Sequence, residues 1–200
     1  MKTTKKALLL ALCAVLLVVS TVFATLAYLT SETQVVKNTF TAGSVAITLD
    51  EAKVDVYGEN ANGRTTTGNE YKLIPGHKYI KDPTVYVDAI SEKCYVFVEV
   101  VNNITAIEAD TTIAAQMAGL DWIQMTGTNV WYYENVVDPS AENADLKLEV
   151  FKTFTIKGDA NVAGYVTATN ANSYITVKAY AVQKDGFNTA QAAWTATFGA

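Results

Sequence analysis

The most apolar strand-like stretch of this chain reads YVFVEVV and spans residues 95–101. Successive side chains of a strand point to opposite faces, and here apolar side chains fall on both of them. The two faces consist of Val96, Val98 and Val100 on one side and of Tyr95, Phe97 and Val101 on the other. That pattern is typical of a strand covered on both sides. We therefore expect a central strand here, with the thiol of Cys94 buried beside it.

Strand-like runs recur on both sides of this stretch, with turn residues between them. Residues 44–50 alternate so that Val45, Ile47 and Leu49 share one face, the pattern of a half-buried strand. The polar, Gly-rich residues 58–69 indicate a surface loop instead. Further strands are expected at 54–57, 71–74, 79–87, 122–125, 130–133, 146–156 and 174–183, with the runs at 122–125 and 130–133 forming a hairpin.

Helices are few in this pattern. Thr111 or Thr112 can cap a helix that ends near Gly119, and residues 189–193 indicate a terminal helical turn. About nine short strands separated by turn residues favour two packed antiparallel sheets. We therefore expect an all-β fold over residues 44–200, an antiparallel β-sandwich with one or two short helices.

The first 27 residues have the organisation of a secretory signal peptide. Three lysines within the first six residues precede an apolar run at 7–19, and small residues follow it. Cleavage after Ala24 or after Ala27 fits this pattern, and the second site makes Tyr28 the new N-terminus. The alternative is an uncleaved membrane anchor, because residues 7–27 are long enough to span a bilayer. No basic stop-transfer patch follows, which favours cleavage and export.

Composition argues against several classes of partner. The chain has 15 basic and 20 acidic residues, and the leader takes three lysines and no acid, which leaves a net charge of −8. Binding to nucleic acid and adsorption to anionic membranes both depend on Lys and Arg, so we expect neither. After cleavage Cys94 is the one cysteine left, so the domain is expected to be stable by packing, without an intrachain disulfide.

Residue types that carry catalysis are sparse. The one histidine, His77, lies in a Pro-Gly turn, and the sequence has no His-Glu-x-x-His and no Gly-x-Ser-x-Gly motif. The carboxylate pairs Asp50-Glu51 and Glu108/Asp110 could bind calcium through oxygen, although they lack the EF-hand spacing. We therefore expect no enzymatic activity, no cofactor and no metal centre.

Aromatic residues leave one binding function open. Side chains such as Trp131 and Tyr132 could stack on sugars, as in a carbohydrate-binding module or a cell-surface adhesin. The competing use is packing between the sheets, since these residues lie within alternating strand runs.

Two segments of the first half of the chain are distinctive in combination. The first segment begins with the leader end at 27–30 and continues through VKNTFTAG at 36–43 into the strand at 44–49. The second segment is LIPGHKYIKDP at 73–83, which the strand at 94–101 follows. This order resembles the TasA/camelysin family of exported proteins. The resemblance implies a jelly-roll fold, a role in the extracellular biofilm matrix and removal of the leader by a SipW-type signal peptidase between Ala27 and Tyr28.

The same resemblance implies fibres in which the N-terminal segment of one subunit completes a sheet of the next. Residues 28–43 would form that arm, with Leu29, Val35, Val36 and Phe40 as its apolar points. The partner would be a second copy or a fibre-forming homologue, and packing of the arm on its own domain is the alternative. Camelysin is described as a metalloendopeptidase, an activity that we do not expect of a chain with one histidine.

Overall fold

The computed structural model describes residues 2–29, 44–109, 111–141, 144–169 and 173–199. It divides into two compact units, Met1–Thr41 and Ala42–Ala200. The first unit contains one long helix, α1 (Lys2–Leu29). Of the helices within the described ranges, none combines the length and the apolar character needed to cross a bilayer.

The second unit is an antiparallel β-sandwich with a few short helices, which confirms the predicted fold class. One four-stranded sheet has the order β2-β1-β4-β8, another has the order β10-β5-β7-β6, and β3 pairs with β9 in a small third sheet. The strands are β1 (Ile47–Val54), β2 (Asn60–Thr65), β3 (Lys78–Ile80), β4 (Thr84–Val87), β5 (Cys94–Asn102), β6 (Trp122–Gln124), β7 (Val130–Tyr133), β8 (Leu146–Glu149), β9 (Thr153–Thr155) and β10 (Ile175–Gln183). The helices are α2 (Ile113–Ala118), a 3-10 turn at Pro139–Ala141, α3 (Val162–Thr169) and α4 (Ala190–Phe198).

The apolar stretch that opened the sequence analysis forms β5, an inner strand paired with β10 on one side and β7 on the other. Its face with Val96 and Val98 lies in the main core between the sheets. Its other face, with Tyr95 and Phe97, lies in a second cluster that α4 covers. The prediction of a central strand covered on both faces is confirmed.

Two further local predictions are confirmed. Thr112 caps α2, where its Oγ1 accepts a hydrogen bond from the N–H of Ala115 at 3.1 Å. The buried side chains of Ile113 and Met117 attach this helix to the core. The hairpin prediction is also right, because β6 and β7 pair antiparallel around the turn at Gly127.

The loop prediction for residues 58–69 is wrong, because β2 lies within it. β2 pairs with the second half of β1, and Asn62 and Gly63 adopt positive φ angles of 68° and 91° within it. This strand has almost no apolar side chain to bury. Backbone pairing and the ion pairs of Arg64 hold it instead, and neither leaves an alternating apolar pattern in the sequence.

The runs predicted as single strands at 79–87 and 146–156 are each divided between two sheets. The chain leaves β3, turns at Lys81–Pro83 and enters β4, and β8 and β9 are separated in the same way by 150–152. At this corner the N–H of Lys81 donates to the carbonyl of Lys152, and the N–H of Val150 donates to the carbonyl of Pro83. Apolar alternation continues through the corner because residues such as Val150 and Phe151 remain buried there.

Smaller differences from the sequence predictions remain. Of the strand predicted at 54–57, only Val54 is in a strand, as the last residue of β1. Residues 71–74 form no strand, and α3 was not predicted. The expected helical turn at 189–193 belongs to the nine-residue helix α4. Trp194 of α4 packs 5.1 Å from the ring of Phe97, which explains why the helix extends so far: it covers the outer face of β5.

Candidate assembly interface

The edge strand β10 lies beside β1 at one border of the sandwich, and the first half of β1 is paired on one side only. β10 pairs with β5, and no other strand in the described part of the chain pairs with its outer edge. The Ile47–Asp50 half of β1 pairs with β4, whereas β2 covers only the half that begins at Glu51. An edge strand directs a row of N–H and C=O groups away from its partner, and such a row can accept a further strand.

The core-facing side chains along this border are only half buried. They are Val45, Ile47 and Leu49 beside β4, and Ile175, Val177, Ala179 and Ala181 on β10; we call this set the open seam. Their register partners on the inner strands are better covered. Val85 lies opposite Leu49, and Val98 lies opposite Ala179, and both of these valines are 0% exposed. The main core is therefore closed at its centre and incompletely covered along the open seam.

A polar cluster lies within this border. Glu51 continues the alternation of Val45, Ile47 and Leu49, so its carboxylate is on the core face of β1 and not in solvent. Lys81 Nζ lies 2.5 Å from Glu51 Oε2, and both side chains are 8% exposed. Asn69 donates from Nδ2 to Glu51 Oε1 at 2.7 Å and accepts from the N–H of Val54 at 3.0 Å. We call these three residues the Glu51–Lys81–Asn69 cluster.

Two grooves meet at this cluster. The larger, about 1020 Å³, has mainly apolar walls that include Leu73, Phe154, Val162 and Val166. The smaller, about 340 Å³, runs between β1 and β10. Its walls include Leu49, Glu51 and Val177. Asn69, Lys81 and Ile175 line both grooves, so the two form a continuous depression. Its larger end is mainly apolar, its middle is charged, and its smaller end is mixed, with Leu49 and Val177 among polar residues such as Thr65.

Tyrosines support one side of the larger groove. The hydroxyl of Tyr71 donates to the carbonyl of Ile80 at 3.0 Å, and its ring packs edge-on against Phe154. Burial raises the pKa of Tyr71 well above its ordinary value, and the nearby charge of Glu51 raises it further. Tyr71 is therefore neutral and acts here as part of an apolar wall.

The residues predicted for cleavage and assembly lie in the first unit. Ala27, Tyr28 and Leu29 are the last residues of α1. Val35, Val36 and Phe40 lie outside the described residues, as does most of the arm at 28–43. Processing and arm docking therefore stay predictions.

The carboxylate pairs considered as calcium ligands have other partners. Asp50, on the face opposite to Glu51, accepts from Arg64 Nε at 2.7 Å, and Arg64 also bonds to Asp82. Glu108 is 3% exposed and accepts from Asn102 and from the N–H of Ile113, and burial raises its pKa. Asp110 lies outside the described residues. Within the described ranges, no group of three or more His, Cys, Asp and Glu side chains is arranged to bind a metal ion.

The contacts of His77 and Cys94 are those of residues that support the fold. His77 Nε2 lies 2.8 Å from the carbonyl oxygen of Tyr57, and its ring packs edge-on against Tyr79. Cys94 is 0% exposed, and burial raises the pKa of its thiol to about 11. The prediction of a buried thiol is therefore confirmed, and a raised pKa favours an unreactive one.

The aromatic residues considered for sugar stacking are packed. Trp131 is 8% exposed and belongs to the main core. The ring of Tyr132 packs on the second cluster, and its hydroxyl accepts from Gln191 of α4 at 2.8 Å. These contacts favour the packing interpretation for both side chains.

Neither the open seam nor the Glu51–Lys81–Asn69 cluster was predicted from the sequence. The period-two pattern of β1 contained a signal for Glu51, because extending it by one step places this acid on the core face. No such signal exists for Lys81 and Asn69, which come from a sheet corner and a loop. Comparisons with protein-family models, with characterised proteins and with solved structures each find no match to this chain.

Proposed function

We propose that this protein is a secreted structural subunit of an extracellular matrix, which assembles into fibres when the arm at 28–43 of one copy docks on the open seam of the next. The observation that carries the proposal is the open edge of β10 beside half-buried core residues. Main-chain hydrogen bonds to this edge would provide affinity, and alternate side chains of the arm would cover the seam.

The spacing of the two edges indicates which of them the arm uses. Cα atoms of β1 and β10 come within 8 Å of one another. A strand hydrogen-bonded to both would need about 9.5 Å between them, two ladder spacings. The arm would therefore pair with β10, which offers nine residues, and pack its side chains against β1.

The length of the arm suits this geometry. Its first part, from Tyr28 to Thr41, has 14 residues. In extended form it measures about 46 Å, against about 30 Å for β10 at roughly 3.3 Å per residue. The remaining third can connect the docked segment to its own domain, which is what donation between copies requires. Each aliphatic side chain of the seam that becomes fully covered would add on the order of 1 kcal/mol.

Removal of the leader would control assembly in this proposal. While α1 is attached to the arm, a 28-residue helix precedes the docking segment and keeps subunits from joining end to end. Cleavage by a SipW-type peptidase after Ala27 would release the arm outside the membrane. The acidic surface of the mature chain would keep free subunits soluble until they dock.

The decisive experiment is negative-stain microscopy of the mature chain beginning at Tyr28, with and without residues 28–41. We expect fibres from the first and single particles from the second. Val177→Lys, which places a charge on the seam face of β10, should also abolish fibres. Thr176→Lys is the matched control, since this exposed neighbour points to the opposite face. Fibres that persist without the arm would refute donation.

A surface adhesin is the second candidate, supported by one feature. A mainly polar cleft of about 490 Å³ contains Tyr86 and Tyr133 with Asp121 and Lys147, a mixture of rings and charges that suits a glycan. Glycan-array binding that disappears on changing Tyr133 to Ala, while fibres still form, would favour this function. The camelysin-type protease is a third, weaker candidate. It would need casein cleavage that a chelator abolishes.

A further inference from the structure

We propose that the Glu51–Lys81–Asn69 cluster sets the register of the docked arm, with Lys81 donating to the side-chain oxygen of Asn38 from a second copy. This inference rests on the proposed function and specifies its geometry. It makes the cluster a specificity-determining site, because a strand displaced by two residues would bring a different side chain to Lys81.

The first argument is the unused hydrogen-bonding capacity of Lys81. The ammonium group of Lys81 has three N–H donors. Among the described residues it donates to one acceptor, Glu51 Oε2. The side chain is 8% exposed, so water has little access to the remaining donors. Lys81 lines both grooves, so the residue borders the space that an added strand would fill. An oxygen from that strand would satisfy a buried charge that is now only partly paired.

The second argument is a match between the arm and the depression. The depression is mainly apolar at its larger end and charged in the middle, and its smaller end offers Leu49 and Val177 among polar walls. On one face of an extended strand, residues two apart are neighbours. Within 28–41 one set has the order apolar, amide, apolar on the same face, namely Val36, Asn38 and Phe40. An amide both accepts from Lys81 and donates to Glu51, so Asn38 suits both charges.

The groove volumes determine the direction of the arm. Phe40, the larger side chain, fits the groove of about 1020 Å³, which lies at the Ser173–Ile175 end of β10. Val36 then faces the groove of about 340 Å³ near Val177. The arm therefore runs antiparallel to β10, with Val36 opposite Val177 and Asn38 opposite Ile175.

Disulfide cross-linking between copies tests this register. Mature chains carrying Val36→Cys are mixed with size-tagged chains carrying Val177→Cys, and mixed dimers are measured on a non-reducing gel. We expect the 36/177 pair to exceed the displaced pairs 36/175 and 36/179 by about tenfold, the bias that one charge-assisted hydrogen bond can provide. The native Cys94 is 0% exposed and does not compete.

The cluster is then removed as a unit. Lys81→Met combined with Glu51→Leu avoids leaving an unpaired buried charge, so the domain should still fold. Fibres should still form, and the displaced pairs should rise to the level of the 36/177 pair. Lys152→Met, at a lysine that is 59% exposed, is the control and should leave the bias unchanged.

The outcomes separate the two proposals. If the unmodified mature chain forms no fibres, the proposed function fails and this inference fails with it. If fibres form but cross-links spread evenly over the three pairs, or if the double variant keeps the 36/177 bias, strand donation stands and the role of the cluster is refuted.

Discussion

The two borders of the β-sandwich differ in how they are closed. At the border between β6 and β8, Trp122 is 1% exposed and donates from Nε1 to the carbonyl of Glu149 at 2.8 Å, so one side chain joins the two sheets. Gln116 of α2 adds bonds to the backbone of Thr153. At the border between β1 and β10, the open seam, aliphatic side chains remain half buried.

This difference shows that the domain can complete its own core, and does so at one border. An indole and a two-turn helix suffice to cover the border at β6 and β8. The open seam has Val, Ile, Leu and Ala at its core-facing positions, and these side chains pack on the core but stay half buried. A missing strand is the element that would cover such a border, because it supplies both side chains and hydrogen bonds.

The largest expected effect comes from breaking the closed border. Trp122→Ala should lower the free energy of unfolding by about 3–5 kcal/mol, since it leaves a cavity and removes the bond to Glu149. Urea denaturation followed by circular dichroism measures this change. A loss below about 1 kcal/mol would mean that this border does not depend on Trp122.

A matched pair of valines compares core and seam directly. Val100 and Val177 are register partners on the same face, and Val100 is 7% exposed whereas Val177 is half buried. In the arm-deleted domain, Val100→Ala should cost about 2 kcal/mol and Val177→Ala about 1 kcal/mol. In the full mature chain the order should reverse for the rate of fibre growth, measured by light scattering. Equal effects on growth would contradict a special role for the seam.

A substitution of Arg64 tests whether β2 limits the length of the open seam. Its guanidinium joins β2 to Asp50 and Asp82, and its side chain is 33% exposed. Arg64→Lys keeps the charge and loses the planar geometry, so the expected cost is at most about 1 kcal/mol. Amide exchange should accelerate at Arg64 and Thr65, which pair with β1, and not in β5. Unchanged exchange in β2 would show that backbone pairing alone holds it.

The smallest effect concerns Glu108, near the end of β5. Burial raises its pKa, so the folded state favours the protonated carboxyl. The stability that this provides is present below the ordinary pKa of Glu and is lost as the pH rises through the raised value. Glu108→Gln should therefore flatten the decline of unfolding free energy as the pH rises above the ordinary pKa of Glu. Glu149→Gln, at a side chain that is 48% exposed, is the control. An unchanged slope in Glu108→Gln would refute the linkage.

Elements that form through local patterns were predicted from the sequence, and elements that depend on distant contacts were not. β5, the hairpin of β6 and β7 and the capped helix α2 depend on apolar periodicity or on a cap, and both are visible in a local window. β2 depends on pairing with β1 and on Arg64, whose partner Asp82 lies 18 residues away. The breaks between strands at Lys81–Pro83 and at 150–152 were not predicted either, because buried residues continue through both corners.

The same division holds for the residues of the candidate interface: their face was predicted from local spacing, and their distant contacts were not. Val45, Ile47 and Leu49 were assigned to one face from their spacing, and the structure confirms that face. Their incomplete burial could not be foreseen, since spacing says which way a side chain points and nothing about what lies over it. Lys81 and Asn69 reach Glu51 from positions 30 and 18 residues away, and such pairs have no local pattern.

By itself the sequence determined the class of the fold, the central strand and the burial of Cys94, because alternation of apolar residues along a strand is a property of neighbours in the chain. Only the tertiary structure decided that β1 and the edge strand β10 lie side by side, that their border stays half covered and that a buried ion pair lies within it. Those features depend on how the two sheets are ordered, and strand order follows from the summed packing of the whole domain, which no single segment encodes.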